Sequence, residues 1–229
     1  MKRLKAVVPD ATPGDVLESF LMAVGRKNGT VMLPLWNFGF TKGEPFDIRR
    51  TPSEMGALTE AGRLHPNTVR TGHPIYSVAV IGAKADLFRG VRNFSGYGSD
   101  SPFGMLHKMD GKIAVLDLDD QNSMTFYHYV EEMNNVSYRF HKTFTGLYTD
   151  ETGFTDEKTF GLFVRDLGRK VETNVNPTGE LLWKTGLYTG SRPLEGDGLR
   201  VIPARPLFEV VSRIIQDGRA YGMLYKIGH

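Results

Sequence analysis

The chain has no cysteine among its 229 residues. This absence excludes disulfide frameworks, cysteine-ligated zinc, iron–sulfur clusters and every thiol nucleophile. The chain also has little excess charge, since 28 Lys and Arg against 26 Asp and Glu give a formal charge of +2. So small an excess does not indicate a nucleic-acid groove or a membrane-surface patch. We therefore expect neither nucleic acid nor a membrane as a partner.

Long hydrophobic runs are missing too. The apolar stretch within the first ten residues is too short for the hydrophobic core of a signal peptide. No later segment approaches the roughly 20 apolar residues of a membrane span. A content of 40% hydrophobic and 24% charged residues is typical of one globular domain with a substantial core. A cytoplasmic protein is the resulting expectation.

Helical and strand patterns interleave along the chain. Thr12, Pro13 and Asp15 precede an apolar stripe that stops at Gly25, which predicts a helix over about 13–25. Further helices are predicted at 53–64, with Ser53 as the cap, and at 207–215 before Gly218. Buried strands are predicted at 29–36, 75–82 and 111–118, and an antiparallel segment at 159–165. The pattern indicates an α/β fold, a single domain over 1–229 with a mixed central sheet flanked by helices and an antiparallel C-terminal portion.

Common cofactor motifs are not found. The glycine-rich loop at 90–104 matches neither GxxxxGK[ST] nor GxGxxG, so it is interpreted as a flexible connection, with an anion cradle as the alternative. The six histidines show no HExxH spacing, and Asp117, Asp119 and Asp120 lack the pattern of an EF-hand loop. No metal is expected.

The segment Met124–Met133 predicts a helix that could carry an acid–base pair. His128 and Glu131 are three residues apart and share a helical face, with Thr125 one turn earlier on the same face. Such a trio can supply a general base, a carboxylate that orients it and a hydroxyl donor. The alternative is a surface His–Glu pair that contributes only a few tenths of a kcal/mol, and the spacing alone favours this alternative.

Two other segments concentrate polar groups beside predicted elements. Asp47, Arg49, Arg50 and Ser53 precede a predicted helix, where backbone N–H groups and guanidinium groups can receive an anion. A capped helix with solvated arginines explains the same residues equally well. His73 directly precedes Pro74 at the start of a buried strand, where a histidine is more often a hydrogen-bonded structural group than a catalyst.

Five ordered blocks together resemble the antibiotic N-acetyltransferase family. They are DIRRTPSEMGAL at 47–58, RTGHPIYS at 70–77, GSDSPFGML at 98–106, DGKIAVLDL at 110–118 and TFYHYVEE at 125–132. The resemblance covers nearly all of 13–225. The family includes aminoglycoside 3-N-acetyltransferases and relatives that N-acylate nucleotide-linked amino sugars for surface polysaccharides. The segment NPTGELLWKTGLY at 176–188 looks more like the sugar-modifying branch.

The resemblance implies acyl transfer to an amine from a coenzyme A thioester, acetyl-CoA or another acyl-CoA. In the TFYHYVEE block it implies His128 as the base, Glu131 as the residue that orients it, and Thr125 as a donor to the thioester oxyanion. Because the chain has no thiol, direct attack by the amine is favoured over an acyl-enzyme, although a serine-linked intermediate stays open.

The remaining blocks imply binding residues. Asp47 lies near the acceptor, and the adjacent Arg49 and Arg50, with Arg70, suit phosphate groups better than cations. Ser53, His73 and Ser101 fall in segments expected near the cofactor.

Two departures from the family pattern bear on function. Family members usually carry a further strand and a Ser-rich turn before the first helix, whereas this chain starts almost at that helix. We therefore expect a domain that lacks both features, and a weaker grip on coenzyme A. The segment Asp117–Asn122 is acidic where aminoglycoside enzymes usually have a short glycine-containing turn.

The sequence thus predicts an acyl-CoA-dependent N-acyltransferase that acts on a small-molecule amino sugar, nucleotide-linked in the main hypothesis. The alternatives are an aminoglycoside 3-N-acetyltransferase, which confers antibiotic resistance, and an inactive truncated homologue that serves as a binding module. The identity of the acyl chain and assembly into a homo-oligomer are left open.

Overall fold

The first helix, α1 (Pro13–Val24), begins and ends where its capping residues predict. The Thr12 hydroxyl accepts a hydrogen bond from the Asp15 backbone N–H, and the Asp15 carboxylate accepts one from the Thr12 N–H. Gly25 follows at φ +87°, a conformation that glycine adopts without strain. The structure, a computed structural model, describes residues 8–228. Nearly all of the N-terminal apolar stretch considered above therefore lies outside the described residues.

The described chain divides into two compact units. The first comprises the chain up to Gly96 together with Thr143–Gly161, and the second comprises Tyr97–Lys142 and the chain from Leu162 onward. Six α-helices and eleven strands lie within residues 8–228. This composition confirms the α/β class predicted from the sequence. The assignment of 1–229 to one acyltransferase-like domain stays a prediction.

The first unit is built on a small antiparallel sheet. Its order is β1–β4–β3, from β1 (Thr30–Pro34), β4 (Val78–Gly82) and β3 (Val69–Arg70). The helices α1 and α2 (Ala57–Leu64) pack on it. Leu17 and Leu21 of α1 meet Leu33 and Ile81 of the sheet in a buried apolar cluster. Burial of these side chains holds α1 in place, since each contributes on the order of 1.5–3 kcal/mol.

The predicted start of α2 was wrong by four residues. The helix begins at Ala57, and Gly56 occupies the cap position without a side-chain hydrogen bond. The Ser53 hydroxyl instead accepts from the Met55 N–H at 3.1 Å and lies 2.8 Å from the Thr59 hydroxyl. A local turn of this kind competes with helix initiation, which accounts for the later start.

A second sheet contains a parallel pair, which lies within the first unit. Strand β2 (Phe46–Asp47) pairs parallel with the end of β6 (Arg139–Thr149), Phe46 opposite Tyr148 and Asp47 opposite Thr149. Strand β7 (Thr155–Arg165) follows β6 after a short turn, and the order is β2–β6–β7. The pairing places Asp47 beside the start of that turn.

The second unit contains two further antiparallel sheets. One has the order β5–β10–β9, from β5 (Lys112–Leu116), β10 (Leu199–Pro203) and β9 (Thr189–Gly190). The other joins β8 (Val171–Thr173) to β11 (Tyr225–Ile227). Strand β5 was predicted to be covered on both faces, yet Lys112 and Ala114 are exposed. As an edge strand, β5 buries only one face.

Four helices complete the second unit: α3 (Pro102–Lys108), α4 (Phe126–Met133), α5 (Asn176–Lys184) and α6 (Ala204–Gln216). Helix α3 begins inside the segment that was interpreted as a flexible loop, because Ser101 caps it and Pro102 occupies its first turn. Helices α3, α4 and α6 pack on one another. No helix in residues 8–228 combines the length and apolar character that crossing a bilayer requires.

Candidate active site

His128 and Glu131 form a hydrogen-bonded pair on α4. Their spacing places both side chains on one face, and His128 Nδ1 lies 2.8 Å from Glu131 Oε2. Glu131 is 1% exposed, whereas 19% of the His128 side chain stays accessible. A buried carboxylate on one ring nitrogen and a partly open ring are the arrangement that a general base needs.

Tyr138, just before β6, and Arg139, the first residue of β6, also contact Glu131. The Tyr138 hydroxyl donates to Glu131 Oε1 at 2.9 Å. Arg139 Nε lies 2.8 Å from Glu131 Oε2, an ion pair that is not aligned for a hydrogen bond. A further nitrogen of Arg139, Nη2, lies 2.7 Å from His128 Nδ1. The carboxylate is thus held from three sides.

These neighbours shift the protonation of both members of the pair. Burial by itself would raise the pKa of Glu131, but the charge of Arg139 and the hydrogen bonds from His128 and Tyr138 outweigh it. The pKa of Glu131 therefore lies below its ordinary value. Burial, with the positive charges of Arg139 and Arg165, lowers the pKa of His128, although Glu131 opposes this shift. At neutral pH the site holds a carboxylate and a neutral imidazole.

Thr125 immediately precedes α4. Its backbone is helical, with φ −59° and ψ −21°, and its hydroxyl makes no capping hydrogen bond. Its carbonyl accepts the hydrogen bond from the His128 N–H at 2.9 Å. Thr125 therefore lies one turn before His128, as the spacing predicts, and its side chain is not used to begin the helix.

Asp47, Arg49 and Arg50 lie in the first unit. Asp47 accepts from Arg49 Nη2 at 2.9 Å and from Arg49 Nε at 3.1 Å. The hydrogen bond from Arg49 lowers the pKa of Asp47, although burial opposes the shift. Arg50 is exposed, and its N–H donates to the Asp47 carbonyl. The structure therefore brings Asp47 and Arg49 together as an ion pair at the end of β2.

Arg70 has a structural role rather than that of a free anion ligand. Its Nη1 donates to the backbone carbonyls of Ile48 and Thr51 at 3.0 and 2.6 Å. Burial lowers the pKa of Arg70 to about 10. The sequence predicted a phosphate site from Arg49, Arg50 and Arg70. Because Arg70 is bonded to the backbone and Arg49 to Asp47, only Arg50 is left to bind a phosphate.

Ser53, His73 and Ser101, the residues expected near the cofactor, bind the surrounding backbone. The Ser101 hydroxyl accepts from the Gly104 N–H at 3.3 Å as the cap of α3. His73 is fully buried, with Nδ1 accepting from the N–H groups of Ile75 and Tyr76 and Nε2 lying 3.3 Å from the Gly161 carbonyl. Burial lowers the pKa of His73 to about 4, so the ring is neutral. Nearby backbone groups thus bind all three side chains, and the location of these residues near the cofactor stays a prediction.

A second buried polar cluster lies in the same unit as α4. Arg200 Nη2 donates to Asp120 Oδ1 at 2.7 Å, and both side chains are inaccessible to solvent. The hydroxyls of Tyr127 and Tyr188 donate to Asp120 Oδ2 at 2.7 and 2.9 Å. Burial raises the pKa of Asp120 against the opposing effect of these donors. The hydrogen bonds are made within the cluster, which points to structural stabilisation.

Sequence reasoning missed Tyr138, Arg139 and the Asp120 cluster. Tyr138 and Arg139 follow Glu131 by seven and eight residues and lie outside α4, so no helical spacing indicates them. Asp120 and Arg200 are 80 residues apart. In residues 8–228 no group of three His, Cys, Asp or Glu side chains could hold a metal ion.

The chain resembles known sequences and structures over most of its length. A family sequence model described as aminoglycoside 3-N-acetyltransferase matches residues 1–216. The solved structure of aminoglycoside acetyltransferase AAC(3)-Xa has a TM-score of 0.74 at 23% identity, covering 90% of this chain and 80% of that chain.

Two liganded structures are also similar. AAC-IIIb, solved as a binary complex with CoASH, has a TM-score of 0.71 at 19% identity, covering 91% of this chain and 97% of that chain. AAC-VIa, solved with bound sisomicin, has a TM-score of 0.69 at 19% identity, covering 91% of this chain and 86% of that chain. At these identities the likeness establishes the fold, and it agrees with the elements described above.

Proposed function

Because the chain belongs to the aminoglycoside 3-N-acetyltransferase family, we propose that it transfers the acetyl group of acetyl-CoA to an amine of an aminoglycoside. Family membership makes the chain an acyltransferase. The ligands of similar structures, CoASH in AAC-IIIb and sisomicin in AAC-VIa, support these two substrates. The comparisons favour this acceptor, the alternative in the sequence analysis, over the nucleotide-linked amino sugar.

The observation that carries the proposal is the contact between His128 Nδ1 and Glu131 Oε2 at 2.8 Å. When Nδ1 donates its proton to Glu131, the lone pair of the imidazole is on Nε2. Nε2 then takes a proton from the acceptor amine as the amine nitrogen attacks the thioester carbonyl. The C–N bond forms, the C–S bond breaks, and coenzyme A leaves as a thiolate that accepts a proton. Glu131 stabilises the imidazolium formed in between.

Thr125 is proposed to act on the thioester oxygen. Negative charge develops on that oxygen as the amine attacks, and a fixed hydroxyl donor lowers the energy of this state. The Thr125 side chain makes no capping hydrogen bond to α4 and lies one turn from His128. Both facts support this assignment, because Thr125 lies one turn from the base and its hydroxyl does not cap α4.

Carboxylates of the first unit are the groups that could receive a cationic acceptor. The β2–β6 pairing places Asp47 beside the turn that holds Asp150 and Glu151, and Arg49 and Arg92 form ion pairs with Asp47 and Glu151. An aminoglycoside is a polycation, so its ammonium groups can exchange for these arginines at the carboxylates. The two arginines that would have indicated a phosphate, Arg49 and Arg70, are bonded to Asp47 and to backbone carbonyls. We therefore propose Asp47 as an acceptor-binding residue and Arg49 and Arg50 as its neighbours.

Ser53, His73 and Ser101 are proposed to shape the coenzyme A site indirectly. Each bonds backbone in a segment that the family resemblance places near the coenzyme. His73 and Ser101 have no accessible surface. Loss of any of the three would move that backbone rather than delete a direct contact. The reaction is placed in the cytoplasm because acyl-CoA thioesters are made and used there.

A thiol-release assay tests the proposal. The full chain is incubated with acetyl-CoA, and each separate reaction contains one kind of acceptor. The acceptors are aminoglycosides with a free 3-amino group, aminoglycosides that lack it, and nucleotide-linked amino sugars. We expect thiol release only with the first set, and His128→Gln to abolish most of it. Thiol release with the nucleotide-linked sugars alone would show that they, and not aminoglycosides, are the acceptors. Binding of coenzyme A without thiol release would indicate a binding module.

A further inference from the structure

Arg139 makes a contact that the dyad of His128 and Glu131 does not require. Its Nη2 lies 2.7 Å from His128 Nδ1, the nitrogen that also lies 2.8 Å from Glu131 Oε2. The side chain is 5% exposed and is fixed from behind, since Nη1 donates to the Phe163 carbonyl at 3.1 Å. The guanidinium is therefore held against the imidazole and is not displaced into solvent.

The two contacts at Nδ1 are mutually exclusive. A guanidinium can only donate hydrogen bonds, and a carboxylate can only accept them. When Nδ1 carries the ring proton, it can donate a hydrogen bond to Glu131. When Nδ1 carries the lone pair, it can accept a hydrogen bond from Arg139. In the first form Nε2 can accept a proton, and in the second Nε2 already holds one. The neighbours of Nδ1 thus decide whether the ring is ready to act as a base.

We propose that Arg139 is a positioning residue that competes with Glu131 for Nδ1 of His128, so that it controls the ring tautomer and keeps the ring neutral. The proposal rests on the role of His128 as the base in the proposed function. In the free protein the competition holds part of the population in the form with the proton on Nε2. A bound acceptor amine favours the other form, since it needs the lone pair on Nε2.

The other groups around His128 do not duplicate this effect. On α4 itself the facing charge is Glu131. From β7, Arg165 adds a second positive charge that acts in the same direction as Arg139. The Tyr97 ring meets the His128 ring edge-on, with centroids 5.5 Å apart. Tyr138 donates to the far oxygen of Glu131 and stacks on Tyr225. Glu131 and Arg139 both lie within 2.8 Å of Nδ1 itself.

Nitrogen NMR of histidine-labelled protein tests the proposal without relying on turnover. His128→Gln identifies the His128 signals among the six histidines. In Arg139→Met, which removes the charge and the donor at similar length, we expect the neutral ring to shift toward the form protonated on Nδ1. Its titration midpoint should rise by about one pH unit or more, because a like charge has been removed from beside the imidazolium. The acid limb of kcat/KM should move to higher pH with it.

Two controls separate charge from general disturbance. Arg139→Lys keeps the positive charge and should keep the midpoint near that of the original protein. Arg213→Gln removes one positive charge from an exposed position on α6 and should leave both readouts unchanged. If Arg139→Met does not fold because Glu131 is left unpaired, Glu131→Gln is compared with Glu131→Gln/Arg139→Met. The midpoint should again be higher in the variant without Arg139.

An identical tautomer and titration midpoint with and without Arg139 would overturn the proposal. If the titration midpoint is unchanged in Arg139→Met and the protein releases thiol normally, the role of Arg139 is rejected and the proposed function is not affected. A shifted midpoint in a protein that acetylates no acceptor would reject the proposed function and leave the control of the ring by Arg139 intact.

Discussion

His128 Nδ1 and Glu131 Oε2 lie 2.8 Å apart because the two residues are three positions apart on α4. Replacing His128 by Gln should lower kcat by about 10² to 10⁴, since the acceptor for the amine proton is lost while little core packing changes. Steady-state kinetics at saturating acceptor measure this effect. Glu131→Gln should cost less, because the imidazole stays and only its orientation weakens. An unaltered kcat in His128→Gln with normal circular dichroism would reject the assignment.

The kinetic order follows from the absence of cysteine together with His128 as base. If the amine attacks the thioester directly, both substrates are bound before coenzyme A leaves, and double-reciprocal plots intersect. A serine acyl-enzyme would give parallel lines and a burst of thiol without acceptor. Mass spectrometry of the intact chain after incubation with acetyl-CoA alone provides the second measurement. We expect no stoichiometric gain of an acetyl group, and a gain that acceptor discharges would disprove direct transfer.

His73 should make the stability of the fold depend on pH. Burial lowers the pKa of this ring from 6.5 to about 4, so the unfolded chain binds the proton more tightly than the folded chain. The stability it contributes is present above pH 6.5 and is lost as the pH falls toward 4, by about 3 kcal/mol in all. Urea unfolding at pH 7 and pH 4 measures the difference.

His73→Asn supplies the control for this measurement. Its side-chain oxygen can still accept from the backbone N–H groups that follow, as asparagine does in turns, but it does not titrate. The loss of stability between pH 7 and pH 4 should be smaller in this variant by roughly the same amount. An equal loss in both proteins would show that other groups cause the acid dependence.

Gly104 should not tolerate a side chain. A Cβ at this position would lie 2.3 Å from the Ser99 carbonyl oxygen, a backbone atom that cannot swing away. Gly104→Ala should therefore cost about 1–3 kcal/mol of unfolding free energy. Gly14→Ala is the matched control, since its Cβ would meet only the Thr12 hydroxyl at 3.6 Å. Chemical denaturation of both variants checks this prediction, and equal stabilities would contradict the close approach.

Local patterns in the sequence predicted local structure well. Helix α1 has the predicted start at Pro13, because Thr12 and Asp15 are three residues apart and cap each other. Helix α6 ends before Gly218, which has φ +71°. Predictions were poorer where a serine had a different role from the one that the composition of its segment suggested. Ser53 formed a turn with Met55 instead of capping α2, and Ser101 began α3 inside a segment that had the composition of a loop.

The cap of α1, the family and the pairing of His128 with Glu131 could all be predicted from the sequence, because each depends on residues a few positions apart or on contiguous blocks. The distant groups that complete the site became visible only in the folded chain. Tyr138 and Arg139 reach Glu131 from outside α4, Arg200 reaches Asp120 across 80 residues, and Arg70 turns to the carbonyls of Ile48 and Thr51. Such contacts depend on how strands pair and helices pack, which no spacing along the chain specifies. Arg70, one of the arginines that resembled a phosphate site in the sequence, therefore has a structural role in the fold.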